Sequence, residues 1–222
     1  MESPKFEKLT AKEKLAAFLE KWRFAFVIVF ACAILAVIGI SIFSTVRNSQ
    51  NKSGLNALDK ISYELSVDSA KLSADELETR RQKALEELVP YLKKSSIVGV
   101  TANRLQAEIL FSQKKYVEAA DFYLTSVKKD SSSYLTPLGY FNAAACYENA
   151  GDYENAAKYY EKAATFKDNL QSARAYFSLG RVKEKLNDKD GAIKAYNDLL
   201  DAFADGEWTN LAKSRLITLE NK

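Results

Sequence analysis

Over residues 24–46 the chain reads FAFVIVFACAILAVIGISIFSTV, 23 residues without one charged side chain. At ~1.5 Å per residue such a helix spans about 34 Å, enough for a hydrocarbon core of about 30 Å. A core helix of a soluble domain would be shorter and would keep a polar face. A cleaved secretory signal would have an apolar region of only ~7–15 residues and then a small-x-small cleavage site, whereas this run ends in SIFSTVRNSQ. The pattern predicts an uncleaved signal anchor, one pass through the lipid bilayer. In front of it, Leu15, Phe18, Leu19 and Trp22 recur at steps of three and four behind Thr10 and Glu13, which have the spacing of a capping box. That segment is either an amphipathic helix on the inner membrane surface, with Trp22 at headgroup level, or an ordinary basic flank.

Lysine and arginine set the orientation. Lys5, Lys8, Lys12, Lys14, Lys21 and Arg23 precede the run, against Arg47, Lys52 and Lys60 in the 20 residues after it. The expectation is a cytoplasmic tail over residues 1–23 and export of the rest of the chain.

Beyond the run, the apolar pattern becomes periodic. KKYVEAADFYLTSV from Lys114, GDYENAAKYYEKAA from Gly151 and NDKDGAIKAYNDLL from Asn187 align. Ala119, Ala156 and Ala192 coincide, as do Tyr123, Tyr160 and Tyr196, at spacings of 37 and 36 residues. A second helical segment precedes each stretch. Helix, short turn, helix, repeated, predicts an all-α solenoid of helical hairpins, since one hairpin cannot bury its apolar side and a stack can.

These residues resemble the tetratricopeptide repeat, whose pattern is W-x2-L-G-x2-Y followed by A-x3-F over ~34 residues. The middle copy matches through Tyr140, Ala143, Ala144, Tyr147, Gly151, Tyr153, Ala156, Tyr160 and Ala163, and the third through Tyr176, Leu179, Gly180, Ala192 and Tyr196. The first is weaker, with Ala107, Tyr116, Ala119 and Tyr123. The alanines are expected to let paired helices approach, and the tyrosines to fill the gaps. The predicted organisation is a divergent hairpin over residues 47–99, three repeats over 100–204 and a capping helix over 205–222.

Composition removes most chemistry. The chain has 222 residues, no histidine and a formal charge of +3. Without histidine there is no Ser-His or Cys-His nucleophile and no usual zinc or haem ligand set. There is no P-loop and no G-x-S-x-G motif. No catalytic residue, metal or cofactor is predicted, and the small net charge gives no reason to expect nucleic acid. Cys32 and Cys146 are expected as small buried apolar residues rather than as a disulfide or reactive thiols.

A short basic tail, one span and an exported tetratricopeptide solenoid together resemble the YfgM-like ancillary subunit of the bacterial SecYEG translocon. The resemblance covers nearly the whole chain in architecture. It implies a bacterial inner-membrane protein with its N-terminus cytoplasmic, its solenoid periplasmic, and the translocon and periplasmic chaperones as partners. The other readings are a self-associating scaffold, possible as a homodimer, and an adaptor of cell-envelope assembly or division.

Solenoids of this kind bind along their concave face, lined by the first helix of each hairpin. The inward positions there include Arg104 and Phe111 in the first copy, Phe141 in the second, and Arg174, Phe177 and Arg181 in the third. Phe111, Phe141 and Phe177 would form an apolar stripe flanked by arginines, the residue types that anchor protein partners. Alternatively, these rings pack against neighbouring helices. A two-carboxylate clamp needs Lys and Asn at inward positions five and nine of successive copies; only Arg181 fits, so no such clamp is expected.

Overall fold

The computed structural model describes residues 10–131, 134–166 and 170–221. Lys5 and Lys8, counted above for orientation, lie outside them. Among the described residues every regular element is helical: α1 (Ala11–Ser66), a 3-10 turn (Ser69–Lys71), α2 (Ala74–Leu92), α3 (Ile97–Ser112), α4 (Tyr116–Lys129), α5 (Thr136–Asn149), α6 (Tyr153–Ala164), α7 (Leu170–Lys185), α8 (Lys189–Ala202) and α9 (Glu207–Glu220). The chain divides into two compact units, Met1–Gln50 and Asn51–Lys222.

In the first unit, the Thr10 backbone N–H donates to Glu13 Oε2 at 2.7 Å, and Glu13 N–H donates to Thr10 Oγ1 at 3.4 Å, so the foreseen capping box opens α1. No break follows. The amphipathic lead, the apolar run and the first helix foreseen for the divergent hairpin are one helix, and the lead is not a separate element. The physical reason is the absence of a breaker: residues 11–50 contain no proline and only Gly39. Helix α1 is long and apolar enough to cross a membrane. Phe18 packs its ring near Trp22 and Phe26, at centroid distances of 6.4 and 6.1 Å, so the aromatic face of the lead runs on into the apolar segment. Cys32 lies on the outer face of α1 and Cys146 is buried among the repeats, and both thiols are free.

The second unit begins with the last part of α1 and α2. Arg80 Nη1 donates to the carbonyls of Glu64 and Val67 at 3.0 and 2.6 Å, which satisfies orphan acceptors at the end of α1. Ser73 and Glu76 form a reciprocal capping box that starts α2. Leu58, Ile61, Ala84 and Leu88 then share a core with Val98, Ala102, Leu105 and Ile109 of α3.

Helices α3 and α4, α5 and α6, and α7 and α8 pair as hairpins, and each packs on the next; α9 packs against α8 and α7. The turns inside the three hairpins are alike. Lys114, Gly151 and Asn187 hold φ of 61°, 80° and 58°, and they are separated by the repeat spacing. Gly151 adopts this left-handed conformation at no steric cost and Asn187 at little, whereas Lys114 is strained there. Asp152 and Asp188 follow and accept from the N–H of Asn155 and Gly191 at 3.0 and 2.9 Å, capping α6 and α8.

The foreseen small-residue seam is present. Ala143, Ala144 and Ala156 are fully buried in one core with Ala107, Ala119, Tyr123, Tyr147 and Tyr160, and Tyr153 packs against its edge. Close approach also marks Gly180, where a Cβ would stand 2.4 Å from the Tyr196 ring. Overpacking a tight contact costs typically ~1–3 kcal/mol. Gly180→Ala is therefore expected to destabilise the repeats by about that amount, read as a lowered urea midpoint with unchanged slope.

Candidate partner-binding groove

The first helices of successive hairpins place a groove of about 490 Å³ between α5, α7 and the start of α9. Phe141, Ala145, Glu148 and Asn149 come from α5, Arg174, Phe177, Arg181 and Lys185 from α7, and Trp208 from α9. Four of the six residues singled out from the sequence therefore meet here: Phe141, Arg174, Phe177 and Arg181.

The other two do not line it. Phe111 packs edge-on against Tyr116 at 5.2 Å and is 37% exposed. Arg104 Nε stands 3.6 Å from Glu108 Oε1, an ion-pair distance on its own helix. Burial of Glu108 pushes its carboxyl above the ordinary range, and Arg104 opposes that shift.

The three inward phenylalanines do not form a uniform exposed stripe. Phe141 is only 4% exposed; its ring meets Tyr160 at 5.2 Å, and the Arg174 guanidinium lies 4.7 Å above it. Arg174 also lies 5.7 Å from the Trp208 ring. Phe177 is half-buried between Tyr196 and Trp208, at 5.6 and 5.5 Å. Phe141 is thus a packing residue whose edge borders the groove, while Phe177 and Trp208 form its aromatic wall.

One polar arrangement occurs twice along the stack. Tyr160 Oη donates to Glu148 Oε2 at 2.9 Å, and Arg181 of the next hairpin holds the same carboxylate at 2.8 Å. One copy later, Tyr196 Oη donates to Glu184 Oε1 at 2.7 Å, and Arg215 of α9 donates to it from Nε at 3.0 Å. Each node joins both helices of one hairpin to the first helix of the next. Burial is the main cause that pushes the Tyr160 and Tyr196 hydroxyls far above the ordinary phenol range, followed by the glutamate partner. Both phenols remain neutral donors at any physiological pH. The first copy has Phe111 where the others have glutamate, so Tyr123 lacks that partner; burial and the nearby Glu108 raise its hydroxyl.

Glu148 and Glu184 fall at inward positions in the sequence, but their pairing across copies is not visible there. Lys185 and Trp208 were missed. Trp208 lies 34 residues after Arg174, so the period could have placed it beside the groove. Burial pushes the Cys146 thiol up to about 12, which leaves it protonated and unreactive. Among the described residues, no cluster of His, Cys, Asp or Glu could hold a metal ion.

Comparison with known proteins follows the same lines. The family description "Tetratricopeptide repeat" matches residues 79–134 and 147–207. A TPR repeat-containing protein of Treponema pallidum (strain Nichols) is 34% identical over 113 residues, 51% of this chain and 47% of that protein. The chain thus spans about half the length of this curated relative. Among solved structures, BtubC (BKLC) from P. vanneervenii matches with a TM-score of 0.53 at 18% identity, over 72% of this chain and 69% of that one. The Sgt2 TPR domain from Aspergillus fumigatus matches with a TM-score of 0.45 at 24% identity, over 55% and 77%. At these identities the likeness is one of fold.

Because Phe141 is core and Phe177 is half-buried, truncation separates the two. Phe141→Ala is expected to cost roughly 3–5 kcal/mol, whereas Phe177→Ala costs clearly less. Thermal melts of the two single variants check the order.

Proposed function

The chain belongs to the tetratricopeptide repeat family, and from that premise we propose that it is a membrane-anchored protein-interaction module. The apolar run at residues 24–46 anchors it in a bacterial inner membrane, and its basic tail stays in the cytoplasm. The repeats work on the periplasmic side, as an accessory of protein translocation or of periplasmic chaperoning. The lysine and arginine bias across the run supports the orientation, and the order of tail, span and repeats supports the translocon-linked role.

The observation that carries this reading is the groove. Its wall combines half-buried aromatic rings, Phe177 and Trp208, with cationic side chains, on a frame that the Tyr–Glu–Arg nodes hold in place. Aromatic and arginine anchors in concave surfaces are the features that concentrate binding energy at protein interfaces. Tetratricopeptide folds are typically scaffolds for such contacts rather than catalysts.

A photo-crosslinking residue at the exposed groove position Asn149 tests the reading in intact cells. Crosslinks to translocation or periplasmic folding components are expected. Crosslinks to cytoplasmic proteins alone would contradict both the function and the orientation.

A further inference from the structure

Arg174 and Lys185 sit near opposite ends of α7, on the same groove wall. Neither has a carboxylate partner among the described residues: Arg174 rests over the rings of Phe141 and Trp208, while the groove's other cation, Arg181, is taken by Glu148. Among the described residues that line the wall, Glu148 is the one acidic side chain. Among the described residues the groove therefore presents two positive charges without a carboxylate partner, with Phe177 between them.

Lys185 follows Arg174 by eleven positions of helix, about 16 Å at a ~1.5 Å rise. An extended chain advances ~3.3 Å per residue, and its residues i, i+2 and i+4 share one face. Carboxylates at i and i+4 are then about 13 Å apart at the backbone, and the flexible Arg and Lys side chains take up the difference. The intervening i+2 side chain points to the same face, toward Phe177.

We propose that the groove's occupant is an extended segment of a partner protein with the pattern acidic-x-apolar-x-acidic. This rests on the groove being the partner surface, and it adds the partner's chemistry. The spacing excludes a pair of adjacent acids as the preferred ligand, because one such pair reaches only one of the two cations.

The test uses the full chain in nanodiscs of zwitterionic lipid and a fluorescein-labelled peptide, acetyl-Ala-Glu-Ser-Leu-Ser-Glu-Ala-amide, read by anisotropy at low salt. Two exposed charge pairs at the upper end of their usual strength correspond to a loss of roughly tenfold when both glutamates become glutamine. A peptide with its two glutamates adjacent is expected to bind at least ~3-fold more weakly than the spaced one. Lys185→Gln is expected to weaken the glutamate peptide by ~3- to 5-fold and to leave the glutamine peptide unchanged. Lys185 is exposed, and an unchanged thermal melt verifies that its substitution leaves the fold intact. Equal affinity for the glutamate and glutamine peptides, or no effect of Lys185→Gln, would overturn the proposal. Competition separates it from the broader reading. If proteins crosslinked from position 149 persist and the spaced-acid peptide neither binds nor displaces them, the acid pattern fails alone; if nothing crosslinks there, the groove reading fails.

Discussion

A buried tyrosine hydroxyl in each of the last two hairpins constrains much of the repeat stack. A phenol taken out of water must find an acceptor, or its desolvation goes uncompensated. Tyr160 and Tyr196 each find one in a glutamate on the first helix of their own hairpin. That leaves a half-buried carboxylate, whose charge is met by an arginine of the next first helix. Apolar burial is non-directional and by itself sets the stacking angle less sharply than hydrogen bonds do. The shared glutamate fixes it, since three side chains from three helices must meet at hydrogen-bonding distance.

The same constraint builds the proposed binding surface. Because the glutamates lie on the inward side of the first helices, the arginines that hold them are drawn to the concave wall. Arg181, singled out as a binding residue, pairs with Glu148, and the proposed partner contacts fall to Arg174 and Lys185. The aromatic wall has the same origin: α9 is positioned by Arg215 on Glu184 and brings Trp208 against Phe177. A groove held by the stack itself would need little reordering to take the proposed extended segment, which would lower the entropic cost of binding.

The fold was largely legible in the sequence, because the period places Ala119, Ala156 and Ala192 and Tyr123, Tyr160 and Tyr196 in register, and register is what a solenoid repeats. The continuity of α1 was not legible. Composition changes sharply at residues 24 and 46, but a change in polarity does not break a helix when no proline or glycine pair interrupts it. The groove was legible only in part. Phe141 and Phe177 occupy equivalent positions, yet the first is roofed by Arg174 and the second faces Trp208, a difference between neighbours that spacing within one copy does not carry. Glu148 and Glu184 could be placed on the inward face, but their partners come from the following helix, and that pairing depends on the rotation between hairpins.

Hydrogen exchange on the full chain carrying Glu184→Gln tests the stacking role of the nodes most directly. In a repeat stack each unit contacts only its neighbours, so loss of one junction should stay local. The account predicts that α9 and the α8 turn around Tyr196 lose protection together, while α3 and α4 keep theirs. Unchanged protection of α9 in this variant would contradict it, because the junction would then be held by apolar packing alone.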